Sequence, residues 1–157
     1  MKTPFREFFR YAEWKERFLK EYEAIRSKDY SIYESEIKKL YPEAEERSLR
    51  ALVCMYVGGY EKRLEDEDVR FWANWAFVKT YKTFGGLRQL SEKELCFLFY
   101  SMGKLFVPLL LHEKGVKSES FKALSREEQE RAVSDVLETV WENHFIRILQ
   151  ILPSLFE

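Results

Sequence analysis

The sequence predicts an all-α protein, a single compact bundle of about six helices in one domain that spans residues 1–157. Three observations support this fold class. Only six Gly and four Pro residues interrupt the chain, apolar residues recur at intervals of three and four, and no segment alternates apolar and polar residues as a strand does. With 46% apolar and 34% charged residues, the chain can bury a sizeable core and lies far from the composition of disordered proteins.

Cap and breaker residues divide the chain into six predicted helices. These cover residues 4–26, 31–40, 42–57, 69–84, 92–112 and 126–152. A charged connector over residues 61–68 precedes the fourth helix, and a loop over residues 113–124 precedes the last one. Short connections between helices of this length are typical of an up-and-down or orthogonal bundle.

The predicted boundaries depend on helix-capping chemistry. Thr3 is expected to cap the first helix ahead of Pro4, and Pro42 is expected to begin the third. Three Ser/Glu pairs have the spacing of a capping box, namely Ser31 with Glu34, Ser91 with Glu94, and Ser125 with Glu128. The expected stops are Gly58–Gly59, Gly85–Gly86 and Pro153.

The fifth helix is expected to be the buried centre of the bundle. Residues 95–111 form the longest apolar stretch, although Ser101, Gly103, Lys104 and Pro108 interrupt it. The stretch is expected to fall short of a membrane span, and a helix that is apolar on several sides is typical of a core. Pro108 is expected to kink or end this helix because proline lacks an amide proton.

Composition also gives expectations about source and compartment. The chain has 23 Glu and 14 Lys residues but five Asn and Gln residues together, the trend of hyperthermophile proteins. A thermophilic source is therefore expected. The N-terminal residues carry charge and no secretory apolar core, so the expected location is cytoplasmic.

Cys54 and Cys96 each lie in an apolar run and are expected to be buried free thiols.

The formal charge nearly cancels, at 26 basic and 27 acidic residues, but it is unevenly distributed. Residues 69–112 contain six basic and two acidic side chains, and no acid occurs between Val69 and Ser91. Cations that alternate with aromatic rings are what single-stranded nucleic acid binding uses. The candidate contacts are Arg70, Trp75, Lys79, Tyr81, Lys82 and Arg88. The alternative is a core helix whose long cationic side chains cover apolar surface or pair with acids elsewhere.

The chain contains 26 aromatic residues, and seven of them lie between Phe5 and Tyr22. A single small core has limited room for so many rings, and surplus aromatic residues are typical of interface anchors. The candidate interface comprises Phe5, Phe8, Tyr11, Trp14, Phe18 and Tyr22. A protein partner or a second copy of the chain would cover it. A densely packed thermophile core is the alternative interpretation.

No motif indicates catalysis, a metal or a cofactor. The double glycines belong to no phosphate-binding pattern, and no Ser lies in a GxSxG turn. Neither histidine has a Glu three residues before it, and His144 lies on an apolar stripe, so His144 is expected to be structural and His112 has no ligand pattern around it. Glu43 with Glu46, and Glu65 with Asp68, resemble the magnesium-binding pairs of all-α nucleoside triphosphate pyrophosphohydrolases. Here, however, the first pair lies at a helix start and the second in a connector.

Residues 111–116, followed by Phe121, resemble the segment around the haem-binding histidine of globins, with His112 in the ligand position. The resemblance covers about a dozen residues, and it implies a helical haem protein. Globins need two full helices after that histidine, whereas one is readable here.

These observations give three functional hypotheses. The first is a non-enzymatic helical module for protein–protein interaction or assembly, which acts through the aromatic face of the first helix and self-associates. The second is a small single-stranded nucleic-acid-binding subunit that uses residues 69–88. The third is a globin-like haem protein. Catalytic sites assembled from distant residues leave no local motif, so the lack of a catalytic motif is weak evidence against an enzyme.

Overall fold

A computed structural model describes residues 4–27, 29, 31–59, 61–112 and 115–156, and the side chains of those residues except 4–9 and 62. The chain is 84% helical, with no strand among the described residues. The helices are α1 (Pro4–Arg26), α2 (Ser31–Leu40), α3 (Glu46–Gly58), α4 (Glu67–Thr83), α5 (Glu92–His112), α6 (Glu119–Lys122), α7 (Arg126–Val140) and α8 (Ile146–Leu155). The prediction of an all-α bundle is confirmed.

The predicted helix count is also close. α6 is a single turn, and α7 continues through a π-helical turn at Trp141–Phe145 into α8. The last two helices therefore correspond to the one long C-terminal helix that the sequence predicts. That helix extends to Leu155, so Pro153 lies inside α8 and does not end it as predicted.

α5 is the centre of the bundle, as predicted. Its residues from Leu95 to Gly103 are all buried, and it contacts α1, α3, α4, α7 and α8. By length and composition α5 is sufficient to cross a membrane, so the expectation that it is too short is wrong. However, 67% of its most apolar window is buried inside the bundle, as in a central core helix.

Pro108 does not end α5, which continues to His112. A proline inside a helix removes one backbone hydrogen bond and crowds the preceding turn. The neighbouring side chains Val107 and Leu110 are fully buried, so packing on both sides of the proline holds the segment in place. Tertiary burial therefore outweighs the local preference to break the helix.

Two of the three predicted capping boxes form. The Ser91 and Ser125 amides donate to the carboxylates of Glu94 and Glu128 at 2.9 and 3.1 Å, and the serine hydroxyls accept in return. The predicted Ser31/Glu34 box is wrong. The Ser31 amide instead donates to Asp29 at 3.0 Å, while Glu34 pairs with Lys38 at 2.7 Å.

The start of α3 also differs from the prediction. The helix begins at Glu46 rather than at Pro42, because Glu45 and Ser48 form the cap. The Glu45 amide donates to the Ser48 hydroxyl at 3.1 Å, and that hydroxyl donates to the Glu45 carbonyl at 2.7 Å. At the N-terminus, α1 begins at Pro4 as expected, and the proposed cap Thr3 lies outside the described residues.

Cys54 of α3 and Cys96 of α5 are buried free thiols, as predicted. A hydrogen bond with Cys96, together with burial, raises the pKa of the Cys54 thiol well above its ordinary value. The Cys54 thiol therefore stays protonated, and both cysteines pack as small apolar side chains within the core.

Candidate functional site: a groove between α2 and α4

The predicted aromatic interface on α1 faces inward over the part that is described. Tyr11, Phe18 and Tyr22 are 1%, 0% and 6% exposed, whereas Trp14 is half-buried. The Phe18 ring lies 5.4 Å from Tyr100 of α5. The side chains of Phe5 and Phe8 lie outside the described residues. Rings at helical spacing suit an intramolecular core as well as an interface, and here the chain's own α5 covers them.

The structure separates the six candidate nucleic-acid contacts. Arg70 Nε donates to both carboxylate oxygens of Glu36 at 2.8 Å. Tyr81 is 1% exposed, so its ring is not free to stack on a base, and its hydroxyl donates to Glu45 at 3.0 Å. Arg88 pairs with the same carboxylate at 3.3 Å. The remaining three side chains, Trp75, Lys79 and Lys82, line one cleft.

That cleft adjoins two others, and we call the three together the α2–α4 groove. A cleft of about 400 Å³ lies between Leu40 and Trp75. The next, about 330 Å³, shares Leu40 with it, and a third of about 380 Å³ shares Glu36 and Arg70 with the second and reaches Ile32. Three adjoining clefts therefore follow the seam between the two helices.

α2 and α4 run in the same direction along this seam. Ile32, near the start of α2, lines a cleft with Leu64, just before α4 begins. Leu40, at the end of α2, lines a cleft with Val78 and Lys79 in the later part of α4. Both helices therefore have their C-terminal ends at the same end of the groove.

α4 borders the groove because it is apolar on more than one side. Trp72, Ala76 and Phe77 are buried in the core, and Thr80 accepts a hydrogen bond from the Trp141 indole at 3.0 Å. The opposite side carries Phe71, Trp75 and Val78 at steps of three and four, which is one helical face. The same helix thus serves the core and the floor of the groove.

A polar network fixes the middle of the groove. Tyr56 of α3 donates to the Asn74 side-chain oxygen at 2.6 Å, and the Asn74 amide donates to Glu36 at 3.4 Å. Burial, and then the charge of Glu36, raise the pKa of Tyr56, so this hydroxyl remains a donor. Together with the Arg70–Glu36 pair, the network joins α2, α3 and α4 and leaves the centre of the groove without net charge.

Exposed apolar side chains line the groove. Ile32 is 72% exposed and Leu40 is 37% exposed, and both lie on α2. Phe71 and Trp75 on α4 are half-buried. Large apolar groups that are adjacent to one another and open to solvent mark binding surfaces more often than isolated ones do.

Sequence reasoning missed the contribution of α2. Ile32, Glu36 and Leu40 are spaced four apart and lie on one helical face, while Ile37 is fully buried on another. Apolar residues on two faces of a helix of ten residues were the available signal. These residues line a groove only because α4 packs alongside α2, and the sequence of α2 alone does not predict that packing.

The structure gives other neighbours to the carboxylates and histidines that resemble metal or haem ligands in the sequence. Glu46 pairs with Arg50 at 2.6 Å, and Asp68 pairs with Lys122 at 3.9 Å. His112 is exposed at the end of α5, and His144 Nδ1 lies 3.3 Å from the Tyr11 hydroxyl. In the described part of the chain, no group of three or more His, Cys, Asp or Glu side chains could hold a metal ion.

Comparison of the chain with models of known protein families, with curated proteins and with solved structures finds no match.

Proposed function

We propose that the chain is a non-enzymatic protein-interaction module that holds an amphipathic segment of a partner protein in the α2–α4 groove. The observation that carries this proposal is the exposed side chain of Leu40 beside half-buried Trp75, in a series of adjoining clefts that extends to exposed Ile32. Apolar anchors at intervals of three and four that lie in such a groove are a recurring mode of peptide recognition.

The dimensions of the groove suit a helix. Glu67 and Lys82 mark its two ends on α4, and fifteen residue steps of about 1.5 Å give a length of roughly 22 Å. A partner helix of about four turns has that length. Because the Tyr56–Asn74–Glu36–Arg70 network fixes the walls, little conformational entropy would be lost there on binding.

The charges along the groove favour a protein over a nucleic acid. Glu36, Glu65 and Glu67 line the same groove as the lysines, and carboxylates repel a phosphate backbone. Of the six residues predicted to contact nucleic acid, Arg70 and Arg88 are already paired with carboxylates and Tyr81 is buried. A mixed-sign groove instead suits a peptide that carries both kinds of charge.

A peptide titration tests the proposal. The probe is an acetylated and amidated 18-residue helical peptide with Leu at positions i, i+3, i+4 and i+7, and its binding is measured by fluorescence anisotropy. We expect saturable binding that Leu40→Ser weakens about tenfold, because the variant removes an apolar anchor. Leu19→Ser is the matched control: Leu19 is 40% exposed, close to the 37% of Leu40, but lies on α1.

Two outcomes would contradict the proposal. One is the absence of saturable peptide binding, and the other is an equal loss of affinity in Leu19→Ser and Leu40→Ser. A 12-nucleotide single-stranded RNA is titrated under the same conditions. If the RNA saturates and displaces the peptide, the groove belongs to the nucleic-acid hypothesis instead.

A further inference from the structure

We infer that the α2–α4 groove selects the orientation of its occupant, an amphipathic helix with acidic residues in its first turns and basic residues in its last turns. This inference rests on the proposed function and names the chemistry of the partner segment. The geometry points to a helix that runs antiparallel to α2 and α4. The supporting observations are the opposite charges at the two ends of the groove.

One end is cationic. Lys79 and Lys82 are exposed and line the cleft with Leu40 and Trp75, whereas exposed Lys39 lines the middle cleft together with Glu67. Lys79 Nζ lies 5.7 Å from the centre of the Trp75 ring, and Lys82 Nζ lies 4.9 Å from the centre of the Tyr41 ring. Among the residues that the structure describes, none of these three lysines has a carboxylate partner within 4.0 Å. Their charges are therefore available to an acidic occupant.

The other end is acidic. Glu65 and Glu67 line the clefts at the start of α4, and both are exposed. Within the described ranges, neither carboxylate has a cation within ion-pair distance. Between the two ends, Arg70 and Glu36 neutralise each other. The middle cleft also carries both signs, because Lys39 and Glu67 line it and Arg126 lies 4.7 Å from the centre of the Phe71 ring. The charge along the groove therefore changes from negative near Glu65, through a mixed middle, to positive near Lys79 and Lys82.

The separation of the ends makes this polarity effective. The length of roughly 22 Å from Glu67 to Lys82 is more than twice the Debye length of about 8 Å at physiological ionic strength. Each end of a bound helix therefore interacts mainly with the nearest end of the groove. A reversed occupant would place like charges together at both ends and have no compensating attraction.

Helix dipoles favour the same orientation. The C-terminal ends of α2 and α4 lie at the cationic end of the groove and carry partial negative charge. The N-terminus of an occupant carries partial positive charge, so it is favoured beside them. Acidic residues in the first turns of the occupant also stabilise that helix by itself, which links its charge pattern to its direction.

The experiment compares two peptides of the same composition and the same apolar stripe. The dipolar peptide has four Glu in its first half and four Lys in its second, and the interleaved peptide has these residues mixed. We expect the dipolar peptide to bind about tenfold more tightly, since several exposed ion pairs act together at each end. Equal affinities would overturn the inference but leave groove binding intact, whereas failure of both peptides to bind would overturn the proposed function as well.

Charge-reversal variants make the test independent of peptide design. Lys79→Glu with Lys82→Glu reverses the charge of the cationic end, and Glu65→Lys with Glu67→Lys reverses the charge of the acidic end. We expect each double variant to lose about tenfold in affinity for the dipolar peptide, and the quadruple variant to recover it. Circular dichroism checks that every variant stays helical, and the neutral pair Lys79→Gln with Lys82→Gln replaces the Glu pair if that variant unfolds.

A nitroxide at the N-terminus of the peptide reports its direction by broadening nearby amide resonances of the protein. In the native groove we expect broadening around Lys82, and in the quadruple variant we expect it around position 65. Broadening at both ends of the native groove, or a quadruple variant that is helical but does not recover affinity, would overturn the inference.

Discussion

Gly103 of α5 lies directly against Met55 of α3: a Cβ atom at Gly103 would be 2.1 Å from the Met55 carbonyl oxygen. On the other helix, a Cβ atom at Gly58 would be 2.0 Å from the Tyr100 carbonyl oxygen. Both distances are far shorter than van der Waals contact. The backbones of α3 and α5 therefore touch at these two positions, and glycine is needed there for space rather than for flexibility.

We expect Gly103→Ala to lower the free energy of unfolding by at least about 2 kcal/mol, because the added methyl group must separate two backbones in the core. Elsewhere in a helix the same substitution usually stabilises. Urea denaturation followed by circular dichroism measures the change. Gly85→Ala is the comparison: a Cβ there meets nothing within 4 Å, but φ is +66°. We expect a cost of about 1–2 kcal/mol from backbone strain alone, and a cost at Gly103 no larger than this would contradict the close-contact explanation.

The α1 stripe gives a second prediction, about the distinction between core and interface. Phe18 is fully buried against α5, so we expect Phe18→Ala to lower the free energy of unfolding by about 3–5 kcal/mol. Trp14 is half-buried, so Trp14→Glu should be tolerated better. Chemical denaturation measures both.

Self-association through α1 stays a prediction with a separate readout. We expect light scattering at micromolar concentration to give at least a dimer, and Trp14→Glu to weaken it. A native chain that stays at 19.0 kDa would remove the homo-oligomer while leaving a different partner protein possible.

The structure also shows which sequence signals were sufficient. The Ser91 and Ser125 capping boxes and the burial of α5 depend on residues within a few positions of each other, and these predictions are confirmed. The start of α3 was missed because Glu45 and Ser48 form a cap whose serine lies at the third helical position rather than at the first. Local patterns therefore predict most of the helices, but they do not predict a helix start that uses an unusual cap.

The sequence alone does not predict which charged side chains pair. Arg70 and Lys79 look equivalent in an acid-free segment, but Arg70 pairs with Glu36, which is 34 positions away along the chain. The sequence predicts Gly58 as a helix stop, whereas its close approach to the Tyr100 backbone depends on α5. The groove itself forms where α2 meets α4, so no segment taken alone predicts it.

Buried phenols predict a loss of stability at high pH. Burial, and then the hydrogen bond and charge of Glu45, raise the pKa of Tyr81 to about 12 from 10.0. The folded state therefore favours the neutral phenol, so this contribution is fully present below pH 10 and is lost as pH rises through about 12. We expect the urea midpoint to fall across that window.

The control for this prediction is Tyr81→Phe, which should reduce the slope because it removes the titrating group. Tyr22, whose pKa burial also raises to about 12, would continue to contribute. An unchanged slope in Tyr81→Phe would assign the alkaline loss of stability to other groups, such as the lysines.

The composition gives a prediction about temperature. Enrichment in Glu and Lys with few amide side chains is the trend of hyperthermophile proteins. We expect the helical signal in circular dichroism to melt above the mesophile range of about 45–65 °C. A midpoint inside that range would contradict the inference of a thermophilic source.

The final prediction concerns single-stranded nucleic acid. In the described structure, Lys79 and Lys82 remain unpaired on one face with Trp75, whereas Arg88 is paired with Glu45 and Tyr81 is buried. Two or three phosphate contacts on a chain of net charge −1 provide little attraction. We therefore expect fluorescence polarisation at low salt to show no saturable binding of a 12-nucleotide RNA. The opposite result would be saturable binding that falls steeply with salt, because phosphate contacts release counterions. If Lys79→Glu with Lys82→Glu also abolished that binding while the helical signal stayed unchanged, residues 69–88 would be assigned to nucleic acid.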